Sequence, residues 1–266
     1  MNHNIYFHIG FHKTGTTFLQ RKIFLNNKKF NLLNDFQTPW HDEIIRKFIL
    51  VPYSNINYSK FRNKINSRCD ERINIISAER LSGHPGSGGY DSYEIARKIK
   101  RLYPKANIII NTRGKEDFKI SCYKQLVKEG YCGRYEDFVD SQNWKLAGPN
   151  KYYFNQDRLV KHYISLFGNE NVLSQNFETF KDKPELFMEK LKLFFDLNSL
   201  SIQASQNVVN KSLPNKKIRS LRFVNKFRIT EFNKFPLFSI EKDICFLLSK
   251  IISFSFSDKS FGDEKT

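Results

Sequence analysis

Apolar residues follow two rhythms along this chain. Four short apolar runs, Ile5–Ile9, Arg72–Ala78 (RINIISA), Asn107–Thr112 (NIIINT) and Asn171–Phe177 (NVLSQNF), have the length and continuity of buried strands. Phe30–Leu33 reads as a shorter strand. Between them apolar residues recur at three and four positions, the spacing of a helix face. This predicts helices from Phe18 (with Leu19, Ile23 and Phe24), over His41–Leu50 and Lys60–Ile65, and over Tyr90–Tyr103, which Pro104 closes. Further helices are predicted over Glu116–Lys128, stopping at Gly130, over Asn155–Phe167, stopping at Gly168, and over Pro184–Phe195. Strands that alternate with helices of this length imply βαβ units and a parallel sheet, so an α/β three-layer fold is expected. Ser82–Gly89 carries four glycines and reads as a mobile loop, and Tyr131–Asn150 as a looping connection containing Trp144. The α/β domain is expected over residues 1–214, with a basic, aromatic helical extension over 215–266.

Composition narrows the partners. The chain of 266 residues carries a formal net charge of +17 and a pI near 9.6, which suits a nucleotide, a nucleic acid, an acidic glycan or an anionic membrane surface. Cys69, Cys122, Cys132 and Cys245 show no metal-ligand spacing, so no zinc site is expected and the thiols read as reduced and cytoplasmic. Neither a signal peptide nor an apolar run long enough to span a membrane is evident in the sequence.

Candidate chemistry gathers at strand ends. Directly after the first strand, Gly10 and Gly15 have the glycine spacing of a P-loop and Thr17 stands at its Ser/Thr place. Thr16 replaces the P-loop lysine, and the loop's lysine is Lys13. A strand, a glycine-bearing turn and a helix start together aim backbone N–H groups at one point, which suits an anion. Glu79 and Arg113 likewise follow strands, and ligands of such sheets bind at the carboxyl ends of the strands. Arg113 and Ser121, on the next helix, have the chemistry to clamp a phosphate between them. Glu79 is the favoured general base, with His12 and His84 as competitors.

His12-Lys13-Thr14-Gly15-Thr16-Thr17 resembles the 5′-phosphosulfate loop of sulfotransferases that use 3′-phosphoadenosine 5′-phosphosulfate (PAPS), and Phe18-Leu19-Gln20 is similar to its bacterial, carbohydrate-type branch. The resemblance covers roughly residues 5–214 and implies PAPS as cofactor. It implies that Lys13, Thr14, Gly15, Thr16 and Thr17 hold the 5′ end of PAPS and that Arg113 and Ser121 hold the 3′-phosphate. Asn210-Lys211-Ser212 is similar to an N-x-S segment near the cofactor in the bacterial branch. The G-x-x-G-x-x-K element of the hormone and phenol enzymes has no counterpart here. The expected activity is in-line sulfuryl transfer to a hydroxyl of a carbohydrate or glycolipid, with Lys13 stabilising charge on the leaving oxygen and no metal or nucleic acid involved. A nucleotide-dependent phosphoryl transferase or a non-catalytic anion- or membrane-binding module are the rival classes. The tail's Lys216, Lys217, Arg219, Arg222, Lys226 and Arg228, interleaved with phenylalanines, suit peripheral contact with the inner membrane surface, a packing helix or an acidic-glycan surface.

Overall fold

In the computed structural model, β1 (Ile5–Gly10) is buried at all six positions and forms the middle strand of a five-stranded sheet. The structure describes residues 4–35, 39–140, 148, 150–200, 213–236, 239, 241–256 and 258–261. The sheet order is β2 (Phe30–Leu32), β3 (Ile73–Ser77), β1, β4 (Asn107–Thr112), β5 (Val172–Asn176), and all pairings are parallel. The register sets Phe7 opposite Ile76 on one side and Ile108 on the other. A parallel sheet covered on both faces needs near-continuous apolar strands, which is why each run was readable in the sequence.

On one face Tyr6 packs with Phe30, Ile75 and Ile109 under Phe187, Met188, Leu191 and Phe195. Phe7 lies on the other, edge-on to Phe48 of α2 (Pro39–Leu50) and near Tyr103, which follows α4 (Ser92–Leu102). The helix after β1 differs from the regular one expected: one α-turn, α1 (Thr16–Phe18), runs into π-helical Leu19–Phe24. The looser turn still buries Leu19, Ile23 and Phe24 together, because a π-helix widens the spacing of a face by about one residue. α3 (Tyr58–Asn66) completes the polar stretch read as helical, capped by the Asn57 side chain accepting from the Lys60 N–H.

The chain divides into two compact units, Met1–Lys115 with Asn155–Gln206, and Glu116–Phe154 with Asn207–Thr266. The first holds the sheet with α7 (Gln156–Phe167), α8 (Phe177–Asp182) and α9 (Pro184–Phe194). In the second, α5 (Lys115–Glu129) presents Tyr123 to an aromatic cluster of Tyr131, Tyr135, Phe138 and Phe261, with ring centroids 5.1–6.2 Å from it. A short helix, α6 (Tyr135–Val139), breaks the connection expected over Tyr131–Asn150, and Trp144 lies outside the described residues. α10 (Asn215–Asn225) buries Ile218, Leu221 and Val224, while Asn225 Nδ2 donates to the Val127 and Tyr131 carbonyls. The tail's first basic segment is thus a packed helix, in which Arg219 is buried and donates to the Lys259 and Ser260 carbonyls while Lys217 is exposed.

A set of polar groups under the loop is joined by hydrogen bonds, whereas both side-chain amide atoms of buried Gln175 on β5 have no partner among the described residues. His8, fully buried on β1, meets Ser77 Oγ through Nδ1 (2.7 Å) and Asn111 Nδ2 through Nε2 (3.2 Å). The Asn111 amide donates, so Nε2 accepts and the imidazole proton sits on Nδ1. Asn34 accepts from the Ser77 N–H (2.8 Å) and donates to its carbonyl (2.9 Å), and Gln20 Nε2 donates to the same carbonyl (2.8 Å). Burial pushes the His8 pKa down to about 3, so the ring is neutral in the folded chain. Because the folded value lies below the ordinary 6.5, this residue's contribution is intact above about pH 6.5 and is lost as pH falls from there towards 3. We expect the stability lost between pH 7 and pH 5, read by urea unfolding, to be about 2 kcal/mol greater in wild type than in His8→Gln. Equal losses would contradict a neutral buried imidazole.

Candidate functional site

The order β3–β1–β4 sets three chain reversals side by side at the carboxyl edge of the sheet. Neighbouring strands lie about 4.8 Å apart, so the residues that follow them are close by construction. Glu79 opens a tight turn (Glu79–Ser82) two residues past β3, Lys13 lies in the loop after β1, and Arg113 directly follows β4.

The loop after β1 is built from two left-handed residues, Lys13 (φ 65°) and Gly15 (φ 80°). Lysine in that region is strained by about 1 kcal/mol or more, and surrounding contacts must hold it there. Four carbonyls of the loop are held by donors. Thr14 Oγ1 donates to Phe11 O (2.6 Å), Arg113 Nη1 donates to Lys13 O (3.1 Å), and Asn111 Nδ2 reaches Thr14 O at 3.5 Å. The N–H groups of Phe18 and Leu19 both donate to Gly15 O. The N–H groups of Thr16 and Thr17 precede the first helical bond, as at any helix start. With these carbonyls engaged and the first amides of the helix without intrahelical partners, the loop suits an anion.

Glycine is required twice. A methyl on Gly10 would collide with the Thr16 hydroxyl, and one on Gly15 would come within 2.8 Å of the Phe177 ring. Thr14 and Thr16 are both buried, so Thr14 offers a ligand its backbone rather than its hydroxyl. Thr16 Oγ1 is buried and has no hydrogen-bond partner among the described residues, while Thr17 is half-buried. Such an orphan beside an anion-shaped loop fits a ligand that supplies the missing partner. The Lys13 side chain is half-buried and has no carboxylate partner among the described residues.

Glu79 and His12, predicted as separate candidates, are paired: His12 Nδ1 lies 3.2 Å from Glu79 Oε2. Arg80 turns away to Asp91 (2.6 Å). Glu79 is the more open of the pair, 32% exposed against 15% for His12. The His12 Nε2 atom is buried without a hydrogen-bond partner among the described residues. His84 joins them, its ring 5.7 Å from that of His12, and its Nδ1 accepts from the Gly86 N–H. The glycine-rich stretch expected as a mobile loop is instead a folded turn: Pro85–Ser87 is 3₁₀-helical, and Gly83, Gly88 and Gly89 are buried with positive φ. Glycine here permits close backbone contact, since a methyl on Gly83 would come within 2.6 Å of the Gly89 Cα.

Arg113 is set deep in its surroundings. Its backbone exchanges hydrogen bonds with the Gln156 side chain (2.9 and 2.7 Å), and its guanidinium lies 5.6 Å from the Phe177 ring centre. Glu178 Oε1 stands 3.8 Å from Arg113 Nε, and Glu178 Oε2 accepts from the Gly114 N–H. Phe177, Glu178 and Gln156 were not foreseen, because each reaches the site from an element distant in sequence. Ser121 is half-buried on α5 and belongs to the second unit, whereas Arg113 belongs to the first. Asn210, Lys211 and Ser212 lie outside the described residues.

The chain has a sulfotransferase fold. It is similar to the sulfotransferase from Alicyclobacillus acidocaldarius, with a TM-score of 0.52 and 17% identity over 85% of this chain and 94% of that one. Weaker likenesses are to the sulfotransferase domain of the curacin biosynthetic pathway (TM-score 0.43, 13% identity, 96% of this chain and 98% of that one) and to mouse sulfotransferase SULT7A1 complexed with PAP (TM-score 0.41, 14% identity, 76% of this chain and 60% of that one). The fold assignment rests on the first of these, and identities this low show a shared fold alone. No family model matches the chain, and no curated protein matches it in sequence.

Proposed function

We propose that the chain is a PAPS-dependent sulfotransferase acting on a hydroxyl of a carbohydrate or glycolipid. The observation that carries this reading is the loop after β1, whose carbonyls are held back by Thr14, Arg113, Asn111 and the α1 amides. The cofactor, when bound, supplies an activated sulfuryl group. Gly15, Thr16 and Thr17 offer backbone N–H groups to its 5′ end, and the Lys13 ammonium neutralises charge that builds there. Arg113 takes the 3′-phosphate, a task shared with Ser121 and with Asn210, Lys211 and Ser212 in the reading drawn from the family resemblance. Binding there has to compete with Glu178, 3.8 Å from the guanidinium.

Glu79 is the general base of this reading, removing the proton from the acceptor hydroxyl. His12, 3.2 Å away, orients the carboxylate. The carbohydrate or glycolipid class rests on the sequence resemblance. A phosphoryl transferase is disfavoured by Thr16 in the lysine position and by a β4 strand that offers no carboxylate for magnesium.

Calorimetric titration tests the cofactor. 3′,5′-adenosine bisphosphate should bind at least about tenfold more tightly than ADP, and Arg113→Ala should abolish that preference, as expected for loss of a charge-assisted contact of about 1.5–3 kcal/mol. Equal binding of ADP would overturn the reading. Transfer from ³⁵S-labelled PAPS to hexoses and galactolipids tests the base. Glu79→Gln should lower it by roughly 10²–10⁴-fold while leaving bisphosphate affinity nearly unchanged. A Glu79→Gln enzyme of near wild-type rate would remove the carboxylate from that role.

A further inference from the structure

The last described helix of the second unit, α11 (Lys242–Ile252), is packed inside out. The side chains it buries are small and weakly polar, Cys245, Ser249 and Ser253, four residues apart along one seam. Ser249 and Ser253 return their hydroxyl protons to the Phe246 and Lys250 carbonyls, 2.8 and 2.7 Å away, so the seam satisfies its own donors. A seam of small residues lets α11 lie against α10, which it contacts. The large apolar side chains point the other way. Ile244 is 48% exposed, Leu247 59%, Ile251 58% and Phe254 89%. Their spacing, three, four and three residues, makes one stripe along the helix. Burying such residues is what ordinarily stabilises a helix on a soluble core, so a stripe left in water calls for an occupant.

Cations border this stripe. On α11 itself exposed Lys250 flanks the stripe, beside exposed Asp243, while Lys242 lies in line with the seam. Arg228 lies 5.9 Å from the ring centre of Phe246, and Lys226 lies 5.9 Å from that of Phe223, a half-exposed residue of α10. The Phe223 ring is 6.5 Å from Phe256, which joins α10 and the end of α11 into one face. Among the described residues no helix is long and apolar enough to cross a membrane. An amphipathic helix of this length with basic flanks and exposed Ile, Leu and Phe has the make-up of one that lies flat in a lipid headgroup layer. A second copy of the same face would bring Lys226, Arg228 and Lys250 near their equivalents, which opposes self-association.

We propose that this face, α11 with Phe223, Lys226 and Arg228 of the preceding segment, docks on an anionic lipid bilayer. Apolar side chains enter the acyl boundary and the lysines and arginines meet lipid phosphates, each such cation adding attraction that salt screens. The proposal stands apart from the sulfotransferase reading, since the assay needs neither cofactor nor acceptor.

The test is flotation of the 266-residue chain with vesicles of phosphatidylcholine, alone or with roughly 30% phosphatidylglycerol, a content that gives an anionic surface. We expect binding to the anionic vesicles only, reduced at least about tenfold by Leu247→Glu/Ile251→Glu and weakened on raising NaCl from about 0.1 M to about 0.5 M. A charge variant, Lys226→Glu/Lys250→Glu, alters exposed side chains alone and should also lose binding, which keeps the test decisive if the apolar variant fails to fold. Circular dichroism melts identify any such failure. Absence of binding to anionic vesicles, or binding that both variants retain, overturns the proposal. So does a concentration-dependent dimer of the wild type, seen by sedimentation, that the apolar variant abolishes while vesicle binding is missing: the face would then belong to a second copy.

Discussion

The hydrogen bond from Arg113 to the Lys13 carbonyl joins the end of β4 to the loop after β1, across a residue separation of 100. It does so at a lysine whose backbone is left-handed and therefore strained. The strain is sustained only because the neighbouring carbonyls are fixed as well, by the Thr14 hydroxyl, the Asn111 amide and the first helical amides. Removing the Arg113 side chain therefore acts on two levels at once. It takes away a cation and it loosens a carbonyl that, turned inward, would repel the anion proposed to bind there.

Beneath that loop, the sheet solves a different problem. β1 must be buried on both faces to sit at the centre, yet it carries His8. Pairing the imidazole with Ser77 and Asn111 satisfies both nitrogens without a charge, and the chain of contacts continues through Asn111 to Thr14 O. The network is not fully satisfied, since Asn111 Oδ1 is buried without a partner among the described residues, and an orphaned group in a low-dielectric interior is costly. The network also ties β1, β3 and β4 together under the residues that bear the charges of the site.

How much was legible in the sequence follows from what each element had to bury. The strands β1, β3, β4 and β5 were readable because both faces of a parallel sheet are covered, and so was the delivery of Lys13, Glu79 and Arg113 to one edge. Pairing was not readable. Nothing in Glu79 or His12 alone says that they meet, and Glu178, Phe177 and Gln156 reach Arg113 from segments more than forty residues away. The glycines of residues 82–89 suggested freedom, whereas they serve close backbone packing. In the tail, apolar content was plain but its direction was not, since only neighbours decide which face of α11 is inside. The seam of Cys245, Ser249 and Ser253 shows that small side chains took that place.

The three strand ends are proposed to form one site for a nucleotide with phosphates at two positions. A crystal structure of the chain with 3′,5′-adenosine bisphosphate tests it most directly. In that complex the 5′-phosphate should lie within hydrogen-bond reach, about 2.7–3.2 Å, of backbone amides in the segment 13–17, and the 3′-phosphate against the Arg113 guanidinium. Phosphates bound away from both, or a 5′-phosphate at the loop with Arg113 still turned to Glu178, would contradict it.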